Sequence, residues 1–106
     1  MDKAIIVIVP SLQKYINSAD PKIQKLFKKQ KEFMETRPYH NSLGRTKLRN
    51  VFDKYGNQLW EIRLNLRDRI AFVERSQNCI IWLKICSHDE LKRKNVIRVE
   101  DVYHNI

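Results

Sequence analysis

Apolar and polar residues alternate over much of the second half of the chain. Trp60, Ile62 and Leu64 occupy every second position, and charged residues stand between them. Successive side chains of a strand point to opposite faces of a sheet, so this alternation predicts half-buried strands. The pattern and its short polar interruptions predict three antiparallel strands joined by hairpin-length connections, at residues 58–65, 69–75 and 79–87.

The first half of the chain has a different pattern. Residues 4–9 are continuously apolar and rich in β-branched side chains, which predicts a strand buried on both faces. A short helix is expected from Pro10, with an apolar face of Leu12, Tyr15, Ile16 and Ala19. Asp20 and Pro21 are typical of a helix N-cap and first turn, and the second helix is expected to run to about Glu35.

The second predicted helix has two contrasting faces. Its apolar face consists of Ile23, Leu26, Phe27, Phe33 and Met34. Its other face carries Lys22, Lys25, Lys28, Lys29 and Lys31. The apolar face predicts packing on a sheet, and the lysine face predicts exposure to solvent.

The remaining segments are polar. Residues 39–56 hold both glycines and predict a loop with one turn or a short strand near residues 47–51. The segment HDELKRKN, at residues 88–95, is consistent with one or two helical turns, and the end of the chain with either a strand or a helix. We therefore predict a single α+β domain over residues 1–106, with an N-terminal strand and helical hairpin packed on a mainly antiparallel sheet.

The alternation also predicts where the charges lie. Counting along the three strands places Arg63, Arg69, Lys84 and His88 on one sheet face, together with Trp82. The opposite face is expected to form the core. A cationic sheet face with a histidine at its rim suits a polyphosphate such as RNA.

Net charge strengthens the expectation of an anionic partner. The chain carries 21 Lys and Arg against 12 Asp and Glu, a formal charge of +9. Such a field attracts nucleic acid and speeds encounter with it. The same charge is also consistent with a basic surface kept for solubility, or with an acidic protein partner.

The sequence does not indicate a membrane protein, a secreted protein or a metal-binding protein. No apolar run is long enough to span a bilayer, and the opening apolar run is too short for a signal peptide. Cys79 and Cys86 are predicted to lie on opposite faces of one strand, too far apart for a disulfide, which suggests a reduced, cytoplasmic protein. No residues show zinc-ligand spacing and the carboxylates are not clustered, so neither a metal nor another cofactor is expected.

Several motifs resemble the RelE/ParE superfamily of bacterial toxins from toxin–antitoxin modules. The residues that carry the resemblance are GRTKLRN at 44–50, LWEIRL at 59–64, RIAFV at 69–73 and CSHDEL at 86–91. The predicted order of strand, two helices, basic loop and three-strand meander is similar as well. The resemblance implies the same fold and, in its ribonuclease branch, cleavage of messenger RNA in the ribosomal decoding site.

The resemblance also implies roles for particular residues. His88 matches the catalytic histidine of the YafQ-like branch, and Arg69 matches a phosphate-binding arginine. Arg63 lies one strand away, and Lys47 lies where RelE-type members carry lysines that activate or stabilise the reacting groups. This chain lacks a second histidine in the meander and has the lysine pair only as Lys47 and Arg49, so it falls between the branches.

Further candidates are assigned to substrate binding, two of them with an alternative role. They are Arg45, Arg49, Lys84, Trp82 and His40. Trp82 could stack on a base or pack in the sheet, and the Lys84 stem could cover it. Arg63 could instead pair with Glu61 or Glu74, and Glu61 could be a base or only a charge partner. Tyr103 resembles a C-terminal tyrosine of some members, and His104 is expected in the solvated tail.

Three functions stay open at this point. The first is a ribosome-dependent endoribonuclease toxin that uses metal-free acid–base catalysis. The second is a ParE-like toxin that inhibits DNA gyrase, and the third is a non-catalytic basic module that binds nucleic acid. Both toxin functions imply an acidic antitoxin as partner, and the first implies messenger RNA and the ribosome as well. His88 favours the first, because the ParE branch generally lacks a histidine there.

Overall fold

A computed structural model describes residues 4–53, 55–76, 78–87 and 89. They form five strands, two helices and one turn of 3-10 helix at Asn41–Leu43. The strands are β1 (Ile5–Ile8), β2 (Thr46–Phe52), β3 (Gln58–Arg63), β4 (Asp68–Ser76) and β5 (Cys79–Ser87). The helices are α1 (Pro10–Asn17) and α2 (Pro21–Thr36).

The strands form one mixed sheet in the order β1-β5-β4-β3-β2. The β1 strand is parallel to β5, and every other neighbouring pair is antiparallel. The predicted α+β fold, with a helical hairpin on a mainly antiparallel sheet, is confirmed. The alternative predictions for the tail lie outside the described residues.

Helix α2 begins as its sequence predicts. The Asp20 carboxylate accepts a hydrogen bond from the backbone N–H of Lys22 at 2.8 Å, and Pro21 occupies the first helical position. An N-cap acceptor and an N-terminal proline both stabilise the first turn. Neither helix is long and apolar enough to cross a membrane, within the part of the chain that the structure describes.

The core lies between the helices and the central strands. Trp60, Phe72 and Trp82 are register partners across β3, β4 and β5, so their side chains share one face. Phe27 of α2 packs against Trp82 with ring centroids 5.1 Å apart and planes nearly perpendicular. Edge-to-face aromatic pairs add about 0.5–1.5 kcal/mol beyond the burial of their area. This face is therefore the one that the helices cover.

Two expectations about N-terminal burial are wrong. Strand β1 is an edge strand rather than a doubly buried one, and Ile5 is 64% exposed. An edge strand has a paired neighbour on one side only, so continuous hydrophobicity did not indicate a central position here. Tyr15, predicted on the apolar face of α1, is exposed, whereas Leu12 and Ile16 are buried.

A buried amide links α2 to the sheet and to the 3-10 turn. The Gln30 side chain is buried, and its Nε2 donates to the carbonyl oxygen of Arg63 at 2.5 Å and to that of Ser42 at 3.4 Å. Polar groups that leave water must keep a partner, so this glutamine satisfies two main-chain acceptors that α2 covers. It thereby positions the end of β3 against the helix.

Replacing Gln30 should destabilise the fold. In Gln30→Leu the two carbonyl oxygens lose their donor inside the protein, at a cost of about 1–3 kcal/mol in the free energy of unfolding. Chemical denaturation measures this loss. Gln13→Leu is the matched control, because Gln13 is exposed and its side-chain amide donates to the exposed Asn17 side chain. Equal stability of the two variants would contradict a structural role for the Gln30 amide.

Candidate functional site

The strand register gathers cationic residues on the sheet face opposite the aromatic row. Arg63 is the partner of Arg69, and Lys84 is the partner of Ala71, the residue two positions after Arg69. Partners across a ladder point to the same side, so Arg63, Arg69 and Lys84 share this face, as alternation predicted. We refer to these three residues as the cationic row. His88 follows the end of β5 in sequence and lies outside the described residues.

Arg69 is held in place by the connection before it. Its Nη1 donates to the carbonyl oxygens of Asn65 at 2.9 Å and Leu66 at 3.3 Å, and its Nε lies 3.9 Å from Oε1 of Glu61. Only 15% of the Arg69 side chain is exposed. A guanidinium fixed by main-chain acceptors loses little further rotamer freedom when it binds an anion.

The structure places Glu61 beside Arg69. Glu61 is buried and its Oε1 lies 3.9 Å from the Arg69 Nε, whereas the sequence had left pairing with Arg63 as one of the alternatives. Glu74, the other suggested partner of Arg63, forms an ion pair with Arg45. A buried carboxylate needs an opposite charge nearby, which explains the position of Glu61. Its burial argues against direct proton exchange with a bulky substrate.

Arg63 and Lys84 are the exposed members of the cationic row. The Arg63 guanidinium packs against Gly44, and a Cβ built on that glycine would lie 3.3–3.4 Å from the guanidinium atoms. Gly44 has φ +58°, in the left-handed region that favours glycine. The glycine therefore both closes the 3-10 turn and leaves room for Arg63.

The basic segment at 44–50 lies partly on the other face. Lys47 is the register partner of Trp60, so its exposed side chain leaves β2 on the side of the aromatic row. Lys47 and Arg69 are therefore not brought together, although the resemblance grouped them in one catalytic set. Arg49 is also exposed, on the same edge strand.

Arg45 lies in an aromatic environment that the sequence did not reveal. Its Cζ lies 4.8 Å from the ring centroid of Tyr39, 5.0 Å from that of Trp60 and 5.2 Å from that of Phe72. Its side chain is 10% exposed and is ion-paired with Glu74. Burial lowers the pKa of Arg45, and nearby Tyr39 acts in the opposite direction. One feature of the sequence pointed to this environment: Tyr39 and Arg45 lie on either side of one short turn.

His40 is part of the same turn. Its Nδ1 accepts a hydrogen bond from the backbone N–H of Ser42 at 3.1 Å, so it caps the 3-10 turn. Its ring stacks on Phe33 with centroids 4.7 Å apart. His40 is thus near Arg45 and not in the cationic row.

The prediction that Trp82 lies on the cationic face is wrong. Ala71 pairs with Lys84 but the next residue, Phe72, pairs with Trp82, so β5 contains one extra residue, Leu83. This β-bulge reverses the alternation, and Trp82 turns into the core. Trp82 is fully buried against Phe27, so it neither stacks on a base nor lies under the Lys84 stem.

Comparison with known proteins identifies a structural relative. No protein-family model matches the chain, and neither does any curated protein. Among solved structures, the chain is similar to a chain of the archaeal RelE–RelB complex from Pyrococcus horikoshii, with a TM-score of 0.64 and 18% sequence identity. The alignment covers 80% of this chain and 94% of that one. The fold is therefore the RelE fold.

The two glycines provide a matched test of the packing around Arg63. Gly44→Ala and Gly56→Ala both place alanine at positive φ, and each should lose roughly 1–2 kcal/mol of stability. Only Gly44→Ala crowds Arg63, since a Cβ on Gly56 would meet no atom within 4 Å. The Nε–Hε resonance of Arg63 should therefore shift in Gly44→Ala and stay constant in Gly56→Ala. A resonance that is unchanged in both variants would contradict the contact.

Proposed function

We propose that this protein is the toxin of a toxin–antitoxin module and cleaves messenger RNA on the ribosome. The observation that carries the proposal is the cationic row on a sheet of the RelE fold, with His88 immediately after the strand that carries Lys84. One fold is shared by many functions, so the cationic row and the histidine, rather than the fold alone, support a ribonuclease. Arginines that hold one phosphate and an imidazole that transfers a proton together supply what cleavage without a metal requires.

The reaction can be assigned to these groups in steps. The ribose 2′-oxygen attacks the adjacent phosphorus as its proton passes to solvent, and the bond from phosphorus to the 5′-oxygen breaks. His88 gives the leaving 5′-oxygen its proton, because imidazole titrates near neutral pH. Arg63 and Arg69 counter the charge on the phosphorane, and Lys84 holds a neighbouring phosphate. The products are a cyclic phosphate and a free 5′-hydroxyl.

The remaining basic residues have a different role in this proposal. Lys47 and Arg49 lie on the edge strand β2, and Lys47 leaves it on the opposite face from Arg69. We assign both to contacts with the RNA backbone beyond the cleaved bond. Each such contact contributes through the release of counterions, so the contribution depends on salt.

The catalytic assignment is tested by messenger RNA cleavage in a translating extract. His88→Ala should lose about a hundredfold or more in cleavage rate, the usual contribution of general acid–base catalysis. Arg63→Ala should also lose rate because phosphorane charge is left uncompensated. Arg75→Ala is the matched control: it removes the same charge from an exposed position near the other end of β4. Thermal melting checks that each variant is folded.

Other results of the cleavage experiment would indicate a different mechanism or a different function. Equal cleavage by wild type and folded His88→Ala would remove His88 from the mechanism. Growth arrest without RNA cleavage, together with blocked DNA supercoiling, would indicate a gyrase inhibitor. RNA binding with neither activity would indicate a non-catalytic binding module.

We also propose that an acidic antitoxin covers the helical hairpin. The structural relative was solved as a RelE–RelB complex. In this chain Lys22, Lys25, Lys28 and Lys29 are exposed on α2, whereas Lys31 pairs with Glu35 at 3.4 Å. These four lysines form an interface with complementary charge for an acidic, amphipathic segment. Such charges mainly speed association.

The partner proposal is tested with the protein encoded by the neighbouring gene. Reversing two charges in Lys25→Glu/Lys29→Glu should slow association about tenfold and change dissociation little, measured by surface binding kinetics. Arg67→Glu/Arg75→Glu changes the net charge equally at exposed positions, one in the β3–β4 connection and one on β4, and should retain the faster rate. Equal rates for the two double variants would show that only net charge matters.

A further inference from the structure

An open cleft of about 510 Å³ lies beside the 3-10 turn. Gly44, which contacts Arg63, forms part of its lining, but none of the three residues of the cationic row does. The walls of the cleft also include Tyr39, His40, Arg45, Trp60 and Glu74. Trp60 reaches it from the sheet face opposite Arg69, because Trp60 is the register partner of Phe72 in the aromatic row. The proposed cleavage chemistry uses none of these residues.

The cleft offers flat aromatic surface rather than net charge. The Arg45 guanidinium lies 4.8 Å from the Tyr39 ring centroid and 5.0 Å from that of Trp60, and its charge is compensated by Glu74. A cation between rings positions both through cation–π attraction. Tyr39 is 76% exposed, so most of this ring stays available to a ligand.

Polar groups stand at the rim of these rings. The Glu74 side chain is 40% exposed and can accept hydrogen bonds, and Asn41 is an exposed amide that can donate or accept. Lys47 leaves β2 on the same face as Trp60 and is exposed. A ligand that fits has a planar ring with a polar edge and carries a phosphate on one side.

We propose that this cleft binds one unpaired base of an RNA strand, stacked on Tyr39, with an adjacent phosphate at Lys47. Stacking on aromatic rings is the usual way in which proteins hold single-stranded RNA bases. The inference deepens the proposed function and rests on its RNA binding, but it does not depend on cleavage. The site would hold a nucleotide away from the cut and fix the register of the strand.

The test compares RNA with a polyanion that has no bases. Binding of a short single-stranded oligoribonucleotide and of inorganic polyphosphate is measured by titration of the whole protein. Tyr39→Ala should weaken oligonucleotide binding about tenfold and leave polyphosphate binding unchanged, because only the RNA can stack. Tyr39→Phe keeps the ring and should bind like wild type.

Tyr15→Ala is the matched control. Tyr15 is also an exposed tyrosine, but it lies on α1 and does not line the cleft. Tyr15→Ala should leave the affinities for the oligoribonucleotide and for polyphosphate unchanged. Because both tyrosines are exposed, neither substitution should disrupt the fold. If Tyr39→Ala weakens polyphosphate and RNA equally, or weakens neither, the base-binding site is disproved. Absence of oligonucleotide binding by the wild type disproves it too.

The outcomes separate this inference from the proposed function. A wild-type protein that binds RNA through Tyr39 but does not cleave it would retain the base site and refute the ribonuclease. If the wild type cleaves RNA but Tyr39→Ala binds the oligonucleotide as tightly as the wild type, the ribonuclease is retained and the base site is refuted. If Tyr39→Ala weakens only the complex with the antitoxin, the cleft is a protein-binding surface and the inference is wrong.

Discussion

The structure depends on one row of aromatic side chains on the sheet face that α2 covers, in which Phe72 and Trp82 are buried and Trp60 is partly buried. Trp60, Phe72 and Trp82 are in register across the three central strands, and Phe27 closes the row from the helix. Burial of apolar side chains is the dominant favourable term in folding, and large aromatic rings contribute much area per residue to it. Because this row faces the helices, the alternate residues of β3 and β4 must face the other way. The positions of Arg63 and Arg69 follow from it.

The element order was predictable because local signals were strong. Alternation marked β3, a short apolar run at residues 70–73 marked β4, and Asp20 with Pro21 marked the start of α2. The errors have physical causes. Alternation assumes an unbroken ladder, so the extra residue Leu83 placed Trp82 on the wrong face. Hydrophobic content does not distinguish an edge strand from a central one, which explains the misjudged burial of β1.

The contacts of the candidate site were less predictable than its location. Alternation alone placed Arg63, Arg69 and Lys84 on one face, and the register confirms this. It could not show which arginine faces Glu61, since that depends on side-chain direction and on the carbonyl oxygens that tether Arg69. The aromatic environment of Arg45 could not be predicted for a similar reason: the three rings around it come from the segment before β2, from β3 and from β4.

The bulge at Leu83 divides β5 into two segments whose orientations are set independently. Before it, Trp82 is committed to the core; after it, Lys84 is committed to solvent on the opposite side. In an unbroken strand these two residues would have to share a face, so an indole that needs burial and an ammonium that needs water would compete. The extra residue removes that conflict. One inserted position thus lets two neighbouring side chains of a single strand, Trp82 and Lys84, face the core and solvent respectively.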